Sequence, residues 1–299
     1  MNFKIKYASL ISVVCLLTGC IAMSHMKSST TTFDFQAHRG GRGLMPENTI
    51  PAMLAVMDND KVTTLEMDLA VTKDKQVVVS HDPTLNPIIT TKADGTYIKA
   101  NEFTIYQMDY TQLQKFDVGL KPHPGFPQQK KVAVTIPTLN DLVDRVELKG
   151  KNLGRQMFYN IEIKSVDGKD IAEHPVPDEF VELVVNLIKQ KNIVARTTIQ
   201  SFDLRPLKVL HKKYPNVQTA YLVEGKGAGD VQMKIDLLGF SPAIYSPEYK
   251  YVTKATVDYC HANNMKIIPW TVNTKTEMDA LIALGVDGII TDYPNLIGN

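Results

Sequence analysis

Glu66-Met67-Asp68 stands within a run, Leu65 to Ala70, that reads as a β-strand. Side chains alternate faces along a strand, so residues two apart point the same way and these two carboxylates converge. Two such charges side by side are costly unless a cation neutralises them, and carboxylate oxygens suit a hard ion such as Mg²⁺ or Ca²⁺. Taken alone, the pair fits a solvent-facing strand at least as well. A second strand, Phe158 to Ile163, shifts the balance. There the same alternation puts Asn160, Glu162 and the following Lys164 on one face, while Ile161 and Ile163 face an apolar layer. A third carboxylate and a cation beside strictly apolar alternates are hard to explain as surface decoration. A functional reading of these polar strand faces therefore overtakes the surface one.

Two histidines lie at strand ends: His38 in Gln36-Ala37-His38-Arg39-Gly40-Gly41, and His81 in Val77-Val78-Val79-Ser80-His81-Asp82. An imidazole titrates near neutrality and so can take a proton from a nucleophile or return one to a leaving oxygen. Arg39 offers a planar fork matched to phosphate oxygens. Asp82 serves equally well as a turn residue before Pro83. Trp270, at the end of its strand, is suited to contact a substrate or to fill the core. Gly225 to Gly229 lacks the lysine-and-hydroxyl ending of a phosphate loop and reads as a flexible turn.

These residues must be carried by a scaffold. Strand-like runs occur at Phe35 to His38, Leu65 to Ala70, Phe158 to Ile163, Thr197 to Gln200, Thr219 to Val223, Ala243 to Ser246, Lys266 to Thr271 and Gly288 to Thr291. Between them, Asn48 to Asn59, Asp178 to Lys191, Asp203 to Lys213, Thr253 to Asn263 and Thr274 to Leu284 have helical apolar spacing, several opening on an Asn, Asp or Thr cap. Eight strands alternating with helices predict an α/β fold of the (β/α)8 type, a TIM-like barrel whose strand ends collect catalytic groups. Val77 to His81 follows the strand before it too closely for a crossover helix, which predicts a hairpin there. The stretch 84–156 exceeds a normal barrel loop and predicts an inserted subdomain overhanging the mouth and helping to choose the substrate. Lys121 to Lys131 should be its exposed, irregular part, and Pro137 to Val146 returns to a helical pattern.

At the N-terminus, Lys4 and Lys6 precede an apolar stretch, Ala8 to Leu17, too short to span a membrane as a mature helix. It ends in Leu17-Thr18-Gly19-Cys20, which resembles the bacterial lipoprotein signal. On that reading 1–19 is a signal peptide, Cys20 is lipidated, 20–32 is a tether and 33–299 is the barrel domain. A plain secretory signal cleaved near Ala22 is the competing reading. Ile21 after the cysteine favours the outer membrane, by resemblance to enterobacterial sorting, with the domain facing the periplasm. Once Cys15 is removed and Cys20 acylated, Cys260 is the one free thiol, so no intrachain disulfide forms. With 33 Lys and Arg against 32 Asp and Glu, the formal charge of +1 supplies no field to draw nucleic acid. An anionic small molecule must be held by local charges.

The ordered set His38-Arg39-Gly40, Pro46-Glu47-Asn48-Thr49, Glu66-x-Asp68, His81-Asp82 and Glu162-x-Lys164 resembles the glycerophosphodiester phosphodiesterase family. Gln200-Ser201-Phe202, Trp270-Thr271-Val272-Asn273 and Gly285 to Pro294 are similar to its closing strands. The resemblance runs from about Phe35 to Pro294, and the core motifs show no departure. It implies a distorted barrel in which Glu66, Asp68 and Glu162 bind one Mg²⁺ or Ca²⁺. It further implies that His38 and His81 act as general acid and base, and that Arg39 and Lys164 hold the phosphate. The implied reaction splits a glycerophosphodiester into sn-glycerol 3-phosphate and an alcohol. Which histidine is the base, and whether water or the substrate's own hydroxyl attacks, stay open at this level. Two rivals keep the fold: a phospholipase-type phosphodiesterase on membrane lipids, favoured by a large apolar rim on the insertion, and a surface-binding lipoprotein, an adhesin, against which the full set of catalytic residue types argues.

Overall fold

The computed structural model describes Met1 and residues 33–297. The signal peptide, Cys20 and the tether therefore lie outside the described residues. Among those described, no helix is long and apolar enough to cross a membrane.

The described residues hold eleven strands in chain order: β1 (Asp34–Ala37), β2 (Thr64–Val71), β3 (Val77–Val79), β4 (Thr91–Lys92), β5 (Phe116–Asp117), β6 (Phe158–Ile163), β7 (Thr197–Ser201), β8 (Gln218–Val223), β9 (Ile244–Pro247), β10 (Lys266–Ile267) and β11 (Gly288–Thr291). Among the described residues eight α-helices accompany them: α1 (Ile50–Val56), α2 (Tyr110–Leu113), α3 (Leu139–Leu153), α4 (Pro177–Gln190), α5 (Leu204–Lys213), α6 (Val231–Leu238), α7 (Lys254–Ala262) and α8 (Lys275–Leu284). The parallel sheet runs β10-β9-β8-β7-β6-β2-β1-β11. Backbone bonds from Ile290 to Pro269 and from Val272 to Ile290 bring the two ends together, so the eight strands form a nearly closed (β/α)8 barrel.

The ring follows from alternation on the strands and amphipathicity on the helices. Along β2, Leu65, Met67 and Leu69 join the apolar layer under the helices, while Glu66 and Asp68 take the opposite face, into the barrel. In α4, Phe180, Val181, Val184, Val185 and Ile188 bury one stripe, and Pro177, Asp178 and Glu179 occupy the first turn, where a missing N–H and negative charge are favourable. Thr49, Thr138, Thr253 and Thr274 cap α1, α3, α7 and α8, each accepting a backbone N–H.

The structure departs from the sequence reading in four places. The tenth strand is regular only over Lys266–Ile267, because Pro269 has no N–H to give a ladder. Helix α6, short and capped by Asp230, has no counterpart among the helical patterns of the sequence. Helix α1 begins at Ile50 with Thr49 as its cap, one residue later than a cap at Asn48 would give, and Asn48 stands outside it in a left-handed conformation (φ 56°). The inserted piece ends near Pro137 instead of at 156. Leu139, Leu142, Val143 and Val146 of α3 pack in the main core, so this helix is the crossover from β2 to β6.

The hairpin is present: β3 pairs antiparallel with β2, Leu69 opposite Val79. Beyond it, the insertion has its own core of Leu85, Ile98, Ile105, Met108, Leu113, Phe116, Val118 and Ile136, set on Ala70 and Val78 of the hairpin. Lys121 to Lys131 has no helix or strand. It folds back so that the Phe126 ring lies 4.8 Å from the Arg42 guanidinium and the Lys130 N–H bonds to the Leu44 carbonyl.

Candidate active site

At the carboxyl ends of the strands lies a cavity of about 400 Å³ lined by His38, Arg39, Arg42, Glu66, His81, Glu162, Lys164, Gln200, Phe202, Leu222, Glu224, Trp270, Thr271 and Ile290. The candidate residues read from the sequence thus meet in one place, with Asp68 just beneath. No residue of 84–137 lines this cavity; the insertion reaches it through its contact with Arg42.

Register explains the carboxylate cluster. In the parallel pairing of β2 with β6, Glu66 is opposite Asn160 and Asp68 is opposite Glu162. Each of Glu66, Asp68 and Glu162 offers an oxygen within 4.8 Å of the others, and all three are buried. Neighbours fix their orientation. The Arg39 main-chain N–H donates to Glu66 Oε2 at 2.7 Å, Gln200 Nε2 to Glu66 Oε1 at 2.8 Å, and Asn48 Nδ2 to Asp68 Oδ2 at 2.8 Å. Below them, Asn160 Nδ2 donates to both Gln36 and Gln200.

Charge balance here is incomplete with protein groups alone. Burial and the adjacent Asp68 charge drive the Glu66 carboxyl well above the usual carboxylate range. Burial, opposed by Lys164 and reinforced by Asp68, pushes Glu162 up to about 8. Asp68 goes the other way: burial would raise it, but Arg39, His81, Lys164 and His38 hold it far below its ordinary value. Asp68 Oδ1 is buried without a hydrogen-bond partner. An all-oxygen donor set with an unsatisfied carboxylate oxygen fits a hard divalent cation.

His38 is held by its Nδ1, 2.5 Å from Asp292 Oδ1, a carboxylate also gripped by Arg42 Nε at 2.9 Å and Asn273 Nδ2 at 2.8 Å. Burial outweighs that carboxylate and lowers the pKa of His38, which favours the neutral ring with Nε2 as its acceptor. His81 Nδ1 lies 2.8 Å from Asp82 Oδ1, and its Nε2 lies 3.1 Å from Lys164 Nζ, which also pairs with Glu162 at 2.9 Å. Arg39 adopts a left-handed backbone (φ 50°), which turns its N–H onto Glu66. Its guanidinium is braced by Glu47 at 2.9 Å and Asp68 at 3.2 Å, with one edge on the cavity. Gly40, next to it (φ 78°), has Ala52 Cβ within 2.9 Å of where a Cβ would stand, so the close approach of this turn to α1 demands glycine. Trp270 lines the wall, its Nε1 donating to the Ser246 carbonyl at 2.8 Å and its ring edge-to-face with Phe202.

A family profile described as the glycerophosphoryl diester phosphodiesterase family matches residues 38–296. The chain belongs to that family. Every residue of the site lies inside the matched stretch. Among similar proteins, a glycerophosphodiester phosphodiesterase of Caldanaerobacter subterraneus subsp. tengcongensis is 31% identical over 88% of this chain and 95% of its own length. A putative glycerophosphoryl diester phosphodiesterase of Silicibacter pomeroyi superposes with a TM-score of 0.78 at 27% identity, covering 89% of this chain and 91% of that one. The fold is shared by an Oleispira antarctica phosphodiesterase in complex with the product sn-glycerol-3-phosphate (TM-score 0.68, 23% identity, 88% and 94% covered).

The family's motifs contain residues to which the sequence assigned no task in the site. Glu47 braces Arg39, Asn48 orients Asp68, and Asp292 holds His38, the last across 254 positions of chain. Replacing Asp292 with Asn should lower kcat/KM by about 10²-fold or more, as expected when a histidine loses the carboxylate that orients it. Because Asp292 raises the basicity of His38, its loss should also move the limb of the pH–rate profile governed by His38 to lower pH. An unshifted profile would show that Asp292 only props the loop.

Proposed function

We propose that the chain hydrolyses glycerophosphodiesters to sn-glycerol 3-phosphate and an alcohol. The observation that carries this reading is the convergence, on one cavity, of three buried carboxylates, two carboxylate-braced histidines and the cations Arg39 and Lys164. A phosphodiester is an anion that repels nucleophiles until its non-bridging oxygens are neutralised. Glu66, Asp68 and Glu162 would hold one divalent cation, Mg²⁺ or Ca²⁺, which would supply positive charge for that purpose. Lys164 and the cavity edge of Arg39 add charge and orient the diester. One of His38 and His81 takes a proton from the attacking group, water or the substrate's own neighbouring hydroxyl, and the other returns one to the departing oxygen. Asp292 and Asp82 engage Nδ1 of each ring and so leave Nε2 for this exchange, that of His81 beside Lys164 Nζ. The lipoprotein-like signal adds the proposal that Cys20 is acylated and anchors the domain at the periplasmic face of the outer membrane.

The Oleispira phosphodiesterase carrying sn-glycerol-3-phosphate as product supports the choice of substrate. The test is release of sn-glycerol 3-phosphate from glycerophosphocholine by the chain lacking residues 1–20. Chelator should stop the release and Mg²⁺ or Ca²⁺ should restore it. A folded, cation-supplemented sample that releases none refutes the reading.

A further inference from the structure

The barrel interior is divided. Strands β1, β2, β6 and β7 fill their half with Gln36, Glu66, Asp68, Asn160, Glu162 and Gln200. Strands β8 to β11 fill theirs with Ala220, Ile244, Ile268 and Ile290, against which Trp270 packs. A diester entering from the carboxyl ends therefore meets cationic and acidic groups on one side and an organic wall on the other. On that wall stands one charged side chain, Glu224. Alternation from Leu222 carries it to the cavity side one residue past β8, and both residues line the cavity. In an eight-strand ring β8 lies four strands from β1, so Glu224 faces His38 across the mouth.

Two properties distinguish Glu224 from the acidic groups of the cluster. It is exposed, and its carboxylate has no ion-pair or hydrogen-bond partner among the described residues. Also lining the cavity, Phe202, at the end of β7 and with Lys164 Nζ 5.8 Å from its ring, meets Trp270 edge-to-face with centroids 5.4 Å apart. The bond from Trp270 Nε1 to Ser246 fixes that ring, and Phe202 remains 37% exposed. Aromatic faces with one unpaired carboxylate recognise a positively charged amine, above all a methylated ammonium, which has no proton to donate and is attracted by ring quadrupoles.

We infer that Glu224, with Phe202 and Trp270, selects diesters whose alcohol carries a cationic amine of the choline or ethanolamine class. This rests on the hydrolytic reading above and deepens it. The anionic phosphate is held by Arg39 and Lys164, and the cationic end of the same substrate extends to the opposite wall. Glu224 is a specificity residue and takes no part in proton transfer.

The experiment compares kcat/KM for glycerophosphocholine, glycerophosphoethanolamine and glycerophosphoglycerol in the cation-loaded protein and in its E224Q and E224K variants. The native protein should prefer the two cationic diesters over glycerophosphoglycerol by about tenfold, a typical size for one charged contact at a site mouth. In E224Q that ratio should fall towards one, and in E224K it should invert. F202A should reduce turnover of the choline diester more than that of the glycerol diester. A ratio unaltered by E224Q, or an equal fall for all three substrates, overturns the inference while leaving hydrolysis intact. Failure of the hydrolytic reading would show differently, as no release from any diester, and would overturn both.

Discussion

Changing His38 to alanine is expected to lower kcat/KM by about 10³-fold, within the usual contribution of a positioned acid or base. The ring stands on the cavity with Nδ1 committed to Asp292, so only Nε2 is available to the substrate, and alanine supplies no substitute. The carboxylate cluster does not depend on His38 for any of its hydrogen bonds, since Glu66 is held by Arg39 and Gln200, and Asp68 by Asn48. Cation binding by H38A, followed by calorimetry, should therefore stay close to that of the native protein. Native-like turnover would remove His38 from the reaction. Simultaneous loss of turnover and cation binding would instead mean that the β1 turn organises the cluster as a whole.

The second large effect concerns stability. With no cation bound, Glu162 is pushed up to about 8 and Glu66 well above its ordinary value. A carboxyl whose pKa is higher folded than unfolded contributes stability at pH below its unfolded pKa, and that contribution is lost as pH rises through the folded value. The cation-free protein should accordingly lose stability from these two groups between about pH 4.5 and pH 8. Asp68 has the opposite sign, since its depressed pKa contributes stability throughout that window. A divalent cation competes with the protons on Glu66 and Glu162, so its stabilisation should grow over the same window. At a hundredfold excess over Kd the gain is about 2.7 kcal/mol, or several degrees in Tm. Thermal melts with and without Mg²⁺ or Ca²⁺ at pH 5.5 and 8.5 should show the larger shift at pH 8.5. E162Q should diminish both the shift and its pH dependence. Equal shifts at both pH values, retained in E162Q, would place the cation elsewhere.

Much of this site was legible in the sequence, because strand alternation is a local property. Glu66 and Asp68 must share a face once their run is a strand, and Glu162 and Lys164 likewise. What alternation cannot supply is register. That Asp68 meets Glu162, and Glu66 meets Asn160, depends on how β2 and β6 pair across almost a hundred residues. The bracing residues were hidden for related reasons. Asn48 sits where a helix cap was expected, yet Thr49 takes that task and leaves Asn48 in a left-handed turn aimed at Asp68. Asp292 lies in a turn whose only local cue is the proline two residues on. The extent of the insertion was misjudged because α3 has the same amphipathic pattern whether it covers a subdomain or a barrel. Its packing partners alone decide.

The separate apolar core of the insertion divides the chain into two packing problems with a narrow joint. Leu85, Ile98, Ile105, Leu113 and Phe116 constrain one another, and their footing on the hairpin is Ala70 and Val78. The strands that carry the carboxylates and histidines answer to a different apolar layer. Sequence drift, or a protein engineer, can thus rebuild the cover by loop grafting, with compensating changes confined to the small core. The catalytic ring need not be repacked, which leaves the chemistry inherited and the periphery free to diversify.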